Sequence, residues 1–259
     1  MYCTIIGFPL KKPRSISIWN NFFKKKKINS KMLAIEISKG KFKKKISKLM
    51  ADKNFLASAV TMPYKIKIKK FVNKFDLSSK LSESTNLIVK KNNQILAYNT
   101  DIYGFLNAVG KNIKLKNVIV IGLGGSGLAI FNYISKKFKN KKFIIITKKN
   151  IKDNPKAKFI RTLNFNNLDA KKAYLIINCT PLGSNLKKKL KYKTPLSDNI
   201  LKKINKSSFV FDLVYKPKKT KLYYQCKKYK IKYTNGIKMN TFQALKALDI
   251  TSKLTNFKI

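Results

Sequence analysis

The first part of the chain alternates between two patterns of hydrophobic and polar positions. Short apolar runs typical of strands are separated by stretches whose apolar residues recur with the period of a helix. Strands are predicted at 4–8, 31–37, 55–61, 86–89 and 95–98, and helices at 15–23, at 41–51, after Pro63 and from Asp101. This succession of strands and helices predicts an α/β unit.

A second series of strands begins with the apolar run Val118–Ile121. The amphipathic run LAIFNYISKKF follows it and leads to another apolar stretch, KFIIIT. Later strands are predicted at 143–147, 174–178 and 209–213, and a last helix at 239–254. Strands and helices in this rhythm are typical of a parallel, doubly wound sheet. The change of pattern near Asp101 predicts a domain boundary there.

Glycines are concentrated directly after Val118–Ile121. Gly122, Gly124 and Gly127 fit the pattern G-x-G-x-x-G, in which the first glycine permits a tight turn, the second admits a pyrophosphate to the main chain and the third lets helix and strand pack closely. The helix that begins near Gly125 would direct its N–H groups toward the phosphates. Strand, turn and helix together predict dinucleotide binding, and the residues leave open a strand-turn-helix without a ligand.

The large positive charge of the chain does not by itself indicate a nucleic-acid-binding protein. The chain carries 59 lysines and arginines against 10 acidic residues, a net charge of +49. A nucleic acid or an anionic membrane is the usual partner of such a chain. The lysines, however, run from end to end and only Arg14 and Arg161 are arginines, whereas base-specific readers favour the bidentate arginine. We therefore expect solvated lysine faces, as an AT-rich coding sequence would produce, and no specific nucleic-acid partner.

Length and cysteine content narrow the class of protein further. The 259 residues, 44% of them hydrophobic, predict a folded protein with two modest domains. Cys3, Cys179 and Cys226 are far apart and odd in number, which favours neither a disulfide framework nor a metal cluster. The opening MYCTIIGFPL has no basic segment before its apolar run, and no apolar run is long enough to span a bilayer. These features predict a cytoplasmic protein with neither a bound metal nor a membrane partner.

Only a few types of residue in this chain could act as a general acid or base. The chain has no histidine, so a general acid or base must be Lys, Asp, Glu, Tyr or Cys. Lys65 follows VTMP, where Pro63 ends a strand, and Asp101 closes YNTD, a polar cluster in a chain poor in acids. The residues alone leave two alternatives open, a solvated surface lysine and a carboxylate that only caps a helix.

Ordered motifs run through nearly the whole chain. They are GFPL followed by a serine and an asparagine (7–20), AVTMPYK (59–65), Asn86, YNTDIYGF (98–105), GLGGSG (122–127), NCTPLG (178–183), DLVYKP (212–217) and G-x-x-M-x-x-x-Q (236–243). In order and spacing they resemble the shikimate dehydrogenase family. The resemblance implies a substrate-binding α/β domain at 1–101, completed by residues 238–259, and a Rossmann-type, doubly wound parallel-sheet domain at 102–237 that binds NADP.

The resemblance implies reversible reduction of 3-dehydroshikimate to shikimate by NADPH, in the pathway to chorismate and the aromatic amino acids. Lys65 and Asp101 match the catalytic pair, in which the lysine stabilises and protonates the alkoxide-like oxygen while the aspartate orients it and binds a ring hydroxyl. The positions that match substrate-binding residues are Ser15, Thr61, Asn86, Tyr215 and Gln243. Those that match cofactor-binding residues are Gly122, Gly124, Gly125, Ser126, Gly127, Thr147, Lys148, Leu213 and Gly236.

The cofactor preference rests on the end of the second strand of the glycine-rich unit. Thr147, Lys148 and Lys149 stand there without the acid that an NAD enzyme carries for the ribose hydroxyls. In the family this segment receives the 2′-phosphate of NADP, with an arginine at the position of Lys148. The resemblance therefore implies NADP. Because lysine is a point charge and not a planar fork, we expect relaxed discrimination against NAD.

Three positions depart from the family pattern. Pro13 stands in place of the first serine of S-x-S, with Ser17 as a substitute only if the register shifts; Ala59 replaces a common asparagine and Trp19 a common histidine. These departures bear on how tightly the substrate binds and not on the reaction. The alternatives are a dehydrogenase for quinate or a related hydroxy acid, and a catalytically weakened dinucleotide or nucleic-acid binder. A monomer or a homodimer is expected.

Overall fold

A computed structural model of the protein describes residues 1–110, 117–137, 143–146, 157–160 and 173–255. By its internal contacts the chain divides into two units, Met1–Asn107 with Met239–Ile259, and Ala108–Lys238. The structure contains two six-stranded sheets. The domain limits expected from the sequence, 1–101 with 238–259 and 102–237, stay predictions.

The first unit is built on a mixed sheet. Its elements in chain order are β1 (Tyr2–Gly7), α1 (Arg14–Lys25), β2 (Lys31–Glu36), α2 (Phe42–Ala51), β3 (Phe55–Val60), β4 (Lys74–Phe75), α3 (Leu77–Ser82), β5 (Leu87–Lys91), β6 (Gln94–Tyr98) and α4 (Asp101–Val109). The strand order is β2-β1-β3-β5-β6-β4. Strand β1 is parallel to β2 and β3, whereas β5 is antiparallel to β3 and β6.

The second unit is built on a parallel sheet. Its elements are β7 (Val118–Ile121), α5 (Gly125–Lys137), β8 (Phe143–Ile146), β9 (Ala157–Ile160), β10 (Leu175–Asn178), α6 (Asp198–Lys203), β11 (Phe209–Asp212), α7 (Lys221–Lys228) and β12 (Lys232–Asn235), followed by α8 (Ile237–Thr255), whose residues from Met239 belong to the first unit. The strand order is β12-β11-β10-β7-β8-β9, and every pair is parallel. This is the strand order of a Rossmann fold, and it confirms the predicted fold class.

Amphipathic helices bury apolar faces and leave lysines in water. In α2 the buried residues are Phe42, Ile46 and Leu49, which lie on one face of the helix. The lysines at 43–45 are exposed, as expected of solvated faces. In α1 Trp19 is fully buried, and its indole N–H donates to the carbonyl oxygen of Ala244 at 3.1 Å. This hydrogen bond ties α1 to α8 within the first unit.

The predicted strands are confirmed with small shifts of their ends, but several short elements were not foreseen. Those are β4, α3, β9, α6, α7 and β12. The helix expected after Pro63 is only the 3-10 turn Lys67–Phe71. Ile68 is the buried residue of that turn. An α-helix lies against its core along an apolar stripe, and one buried residue does not make such a stripe.

The described ranges contain neither a helix suited to a membrane nor a side-chain cluster suited to a metal ion. There, no helix combines the length and the apolarity needed to cross a membrane. Nor do three or more His, Cys, Asp or Glu side chains of those ranges form a group that could hold a metal ion. Cys3, Cys179 and Cys226 are all free thiols, and burial raises the pKa of the Cys3 thiol to about 12.

Candidate active site

Lys65 and Asp101, the catalytic pair expected from the resemblance, form a buried ion pair in the first unit. The Lys65 Nζ donates to the Asp101 Oδ2 at 2.5 Å, and the two side chains are 12% and 6% exposed. Lys65 lies in the turn after β3, and Asp101 is the first residue of α4. Since charges withdrawn from water interact more strongly than surface charges, this lysine differs from the many solvated lysines of the chain.

Asp101 is held through both its backbone and its carboxylate. The Asn99 Oδ1 accepts from the Asp101 backbone N–H at 3.0 Å, and the Asn86 Nδ2 donates to the Asp101 Oδ1 at 2.9 Å. The N-terminal end of α4 also favours a negative charge. One carboxylate oxygen therefore contacts Asn86 and the other contacts Lys65. Together these contacts fix the plane of the carboxylate and the position of the lysine ammonium.

Asn86 and Gln243 meet at the same place. The Asn86 Nδ2 lies 3.0 Å from the Thr100 Oγ1 and 3.3 Å from the Gln243 Oε1, although Gln243 is 157 residues further along the chain. Gly104 permits this approach of α4 and α8, because a Cβ at that position would lie 2.9 Å from the Gln243 Cβ and 2.5 Å from the Met239 carbonyl oxygen. Of the two predicted substrate-binding residues, Asn86 thus contacts the Lys65–Asp101 pair and Gln243 contacts Asn86.

Ser15 and Thr61 offer hydroxyls in the same unit. Ser15, near the start of α1, is buried, and Thr61 directly follows β3. Within the described ranges neither hydroxyl makes a hydrogen bond. The N-cap of α1 is Pro13, which provides no side-chain cap, so this helix end suits an anion. The exposed Ser17 hydroxyl donates to the Arg14 carbonyl oxygen at 3.0 Å and does not replace the missing serine.

The glycine turn of the second unit is closely packed at Gly122 and Gly127 and open at Gly124. Gly122 has φ +90°, and a Cβ there would lie 2.7 Å from the Thr180 Cγ2. A Cβ on Gly127 would overlap the Gly122 carbonyl oxygen and lie 2.9 Å from the Cys179 Cβ. Around Gly124, by contrast, a Cβ would meet no described atom within 4 Å. The turn is therefore closed where helix and strand pack and open where the phosphates of a dinucleotide approach.

Alanine at Gly127 is expected to lower stability and cofactor affinity together. The added methyl group overlaps backbone and Cβ atoms that cannot rotate away, so α5 must move from β7. Overpacking of this kind costs about 1–3 kcal/mol of unfolding free energy. Gly124→Ala is the matched control, because it should unfold like the wild type yet bind NADPH weakly. Thermal unfolding and NADPH titration measure both effects, and a Gly127→Ala protein of wild-type stability would contradict the close packing.

The remaining cofactor positions follow the glycine turn and the next strand. Gly125 and Ser126 are the first two residues of α5. Phosphates bind at this end of the helix in dinucleotide-binding units. Thr147 and Lys148, which are expected to receive the 2′-phosphate, lie outside the described residues.

Leu213 and Gly236 are neighbours after β11 and β12. The Leu213 N–H donates to the Asn178 carbonyl oxygen at 3.0 Å, and the Gly236 N–H donates to the Val214 carbonyl oxygen at 3.4 Å. A Cβ on Gly236 would overlap the Leu213 carbonyl oxygen, so only glycine fits there. Tyr215 follows in the same segment and is half-buried. The structure thus brings two predicted cofactor positions together at the carboxyl edge of the parallel sheet.

Sequence reasoning assigned no role to Asp212, although it begins the motif DLVYKP. This residue ends β11 and is fully buried. Its carboxylate accepts hydrogen bonds from the Asn178 Nδ2 at 2.9 Å and from the Val214 N–H, the Thr220 hydroxyl and the Tyr233 hydroxyl at 3.0 Å each. Burial raises the pKa of Asp212 to about 6, although these hydrogen bonds lower it. The signal that could have identified Asp212 from the sequence is an acidic residue at the end of an apolar strand, in a chain that has few acidic residues.

Asp212 is expected to make the protein less stable as the pH rises from about 4 to about 6. Burial raises its pKa from 3.8 to about 6 in the folded state, so the folded state binds more protons in this window. The unfolding free energy should fall by about 3 kcal/mol across it. Asp212→Asn cannot titrate and should remove this part of the profile. The difference between wild-type and variant urea unfolding, measured at several pH values, isolates the effect, and a difference that is constant with pH would contradict it.

The fold and these residues define a class of protein. A parallel sheet in Rossmann order with a glycine turn, and a buried lysine–aspartate pair among amide and hydroxyl groups, are the parts of a dehydrogenase that uses a nicotinamide dinucleotide. Residues 5–88 match the family model described as the shikimate dehydrogenase substrate binding domain. A shikimate dehydrogenase (NADP(+)) of Clostridium botulinum is 31% identical over an alignment of 259 positions, which covers 96% of each chain. The chain belongs to the shikimate dehydrogenase family.

Other relatives agree with this assignment. A shikimate dehydrogenase (NADP(+)) of Methanococcus maripaludis is 28% identical over 95% of this chain and 90% of its own. The crystal structure of shikimate dehydrogenase 1 from Peptoclostridium difficile matches with a TM-score of 0.83 at 24% identity, over 97% of this chain and 92% of that one. The crystal structure shows the same fold over nearly the full length.

Proposed function

We propose that this chain is an NADP-dependent shikimate dehydrogenase, which reversibly reduces 3-dehydroshikimate to shikimate on the route to chorismate and the aromatic amino acids. The observation that carries the proposal is the buried ion pair of Lys65 and Asp101, joined to Asn86. The relatives from Clostridium botulinum and Methanococcus maripaludis, which match nearly the whole chain, are shikimate dehydrogenases (NADP(+)).

The pair supplies the acid–base part of the reaction. NADPH, when bound, supplies the hydride to the carbonyl carbon of the substrate. As the carbonyl oxygen gains negative charge, the Lys65 ammonium stabilises it and donates a proton to it, which forms the hydroxyl of the product. Asp101 orients the ammonium and accepts a hydrogen bond from a ring hydroxyl. In the oxidation direction Lys65 takes the proton back.

The polar residues around the pair recognise the other groups of the substrate. Asn86 and Gln243 present amides beside the carboxylate of the pair and would bind ring hydroxyls. The hydroxyls of Ser15 and Thr61 are available to the substrate, and Ser15 at the start of α1 suits its carboxylate. Tyr215, in the second unit, is proposed to bind the substrate on the family resemblance alone. An analogue that lacks a hydroxyl would leave buried amides without partners, which costs affinity.

The cofactor contacts are proposed for the second unit. The turn 122–127 would hold the pyrophosphate, because it is open at Gly124 and closely packed at Gly122 and Gly127. Leu213 and Gly236 would meet the nicotinamide, and Thr147 and Lys148 the 2′-phosphate. Because Lys148 is a point charge and not a planar fork, NADP is expected to be preferred with relaxed discrimination against NAD.

We further propose that the enzyme works in the cytoplasm as a monomer or homodimer without a specific nucleic-acid partner. Free thiols at Cys3, Cys179 and Cys226 suit a reducing compartment. The lysines at 43–45 of α2 are exposed, and they are an example of the solvated lysines that are spread over the whole chain and do not form a single nucleic-acid site. Light scattering measures the oligomeric state, and RNA binding that survives high salt would contradict the absence of a nucleic-acid partner.

A panel of two substrates and two cofactors tests the proposed function. Shikimate or quinate is mixed with NADP or NAD, and the reduced cofactor is followed by its absorbance. We expect shikimate with NADP to give the highest kcat/KM. The proposal would be contradicted if the wild-type protein showed no more activity than a Lys65→Met variant in all four mixtures. A preference for quinate would change the substrate and leave the role of the pair intact.

A further inference from the structure

A buried polar network connects β10, β11 and β12 of the second unit through Asn178, Asp212 and Tyr233. Asn178, Asp212 and Asn235 are the last residues of β10, β11 and β12, and they lie in register across the sheet. This carboxyl edge is the side on which doubly wound sheets bind their ligands. Asp212 is the middle member of the three, and its carboxylate is the point at which the network converges.

One branch of the network reaches the glycine turn. The Asn178 Nδ2 donates to the Asp212 Oδ1 at 2.9 Å, while the Asn178 Oδ1 accepts from the Thr180 N–H at 3.0 Å and from the Thr180 hydroxyl at 2.7 Å. The Thr180 side chain packs on Gly122, where a Cβ would lie 2.7 Å from the Thr180 Cγ2. Asn178 and Thr180 thus connect Asp212 to the turn proposed for the pyrophosphate.

A second branch holds the segment that follows β11. The Asp212 Oδ1 accepts from the Val214 N–H at 3.0 Å, as in an Asx turn. The Val214 carbonyl oxygen accepts from the Gly236 N–H at 3.4 Å, and Gly236 packs on the Leu213 carbonyl group. Leu213 and Gly236 are the two positions proposed for the nicotinamide. Asp212 is therefore connected by hydrogen bonds to both parts of the proposed cofactor site, the glycine turn and the segment Leu213–Val214.

The other carboxylate oxygen contacts groups of a different kind. The hydroxyls of Thr220 and Tyr233 each donate to the Asp212 Oδ2 at 3.0 Å. Thr220 also caps α7, because its hydroxyl accepts from the Tyr223 N–H at 3.2 Å. The donors to Oδ1 are N–H groups, which can only donate, whereas the hydroxyls at Oδ2 can donate or accept. This asymmetry allows a neutral amide to replace the carboxylate.

We propose that Asp212 is a positioning residue for the cofactor, whose buried carboxylate ties the turn at Asn178–Thr180 to the segment Leu213–Val214 and so holds together the backbone that receives the pyrophosphate and the nicotinamide. The inference rests on the proposed function, since it requires bound NADP(H). Asp212 is fully buried and acts through its neighbours. Loss of the network should therefore weaken cofactor binding itself, beyond any loss of stability.

Two substitutions separate the geometry of the network from its charge. Asp212→Asn keeps an oxygen for Asn178 and Val214, and its amide group can donate to the hydroxyls of Thr220 and Tyr233 once they rotate to accept. Asp212→Ala removes all four hydrogen bonds. The first variant should preserve the positions of the connected segments, and the second should release them.

Ser208→Ala is the matched control. Ser208 is fully buried, directly precedes β11, and donates to the Ala173 carbonyl oxygen at 2.6 Å. Its loss removes a buried hydrogen bond at the opposite end of the same strand, away from the carboxyl edge. This variant should lose stability without any change at the cofactor site.

The readout is NADPH affinity, measured by titrating the fluorescence of the cofactor in the absence of substrate. We expect Asp212→Ala to raise Kd about tenfold and Asp212→Asn to stay within about threefold of the wild type. Ser208→Ala should lower Tm and leave Kd unchanged. In turnover, the effect of Asp212→Ala should include a higher KM for NADP.

The outcomes separate this inference from the proposed function. An Asp212→Ala protein with reduced Tm and wild-type Kd would overturn the positioning role alone, as would an Asp212→Asn protein that binds as weakly as Asp212→Ala. Wild-type protein that binds no NADPH would overturn both proposals. If Asp212→Ala does not fold, Asn178→Ala breaks the link to Thr180 and leaves Asp212 with three donors; a rise in Kd supports the role, and an unchanged Kd overturns it.

Discussion

Replacing Lys65 with methionine is expected to lower kcat for shikimate oxidation by about a thousandfold. Methionine has a similar length, but it carries neither a transferable proton nor a positive charge. The oxygen that develops negative charge therefore loses its partner. Because this interaction is made mainly in the transition state, kcat and kcat/KM should fall together. Steady-state kinetics with NADP and shikimate measure both constants.

Lys67→Met is the matched control for this prediction. Lys67 is exposed and lies two residues further along, in the 3-10 turn Lys67–Phe71, and its variant should keep the wild-type kcat. The methionine at position 65 leaves the Asp101 carboxylate buried without that ammonium, so thermal unfolding must show that the variant is folded at the assay temperature. A folded Lys65→Met protein with nearly wild-type kcat would contradict the catalytic assignment.

The second large effect is expected for Asp101→Asn. Asparagine keeps an oxygen for the Asn86 amide but directs an NH₂ group at the Lys65 ammonium. The buried ammonium loses this negative partner, so the unfolding free energy should fall by about 3 kcal/mol. The misdirected ammonium and the lost hydroxyl contact should lower kcat/KM for shikimate about a hundredfold. Urea unfolding and steady-state kinetics measure the two effects.

Asp249→Asn provides the comparison with a surface ion pair. Asp249 on α8 is 37% exposed and pairs with Lys246 and Lys253 at 2.8 Å. Exposed pairs contribute about 0–1 kcal/mol, so this variant should be close to the wild type in stability and in activity. Equal destabilisation by Asp249→Asn and Asp101→Asn would contradict the difference in burial, and wild-type activity in Asp101→Asn would contradict its catalytic role.

Most of the longer elements of the fold could be predicted because their apolar residues either form a continuous run, as in a buried strand, or recur with the period of a helix. Val118–Ile121 is buried at all four positions, and α2 places Phe42, Ile46 and Leu49 on one face among lysines. Helix α7 was missed although its buried residues Leu222, Gln225 and Cys226 share one face, but the shortest elements that were missed have no such pattern. Strand β4 has two residues, and α3 is the serine-rich hexamer LSSKLS. In elements this short, pairing with a neighbour and tertiary packing decide the structure, and neither leaves a period in the sequence.

Some residues of the candidate site could be predicted from the sequence alone, and others could not. The spacing of Gly122, Gly124 and Gly127 follows from steric needs that only glycine meets, so the turn could be identified from the residues. Lys65 could not be separated from the other lysines by composition, and the family resemblance was needed to choose it. The structure then gave a physical reason for that choice, since the side chain is 12% exposed and paired with Asp101.

The sequence by itself determined what depends on local chemistry: the alternation of strands and helices, the glycine turn, and the motifs that carry Lys65 and Asp101. Only the tertiary structure decided which polar groups meet. Asn86 contacts Gln243 across 157 residues of chain, and the Asp212 carboxylate gathers donors from four separate residues. Periodicity shows which side of an element is buried but not what lies opposite it, because buried polar groups find their partners through the packing of whole strands and helices.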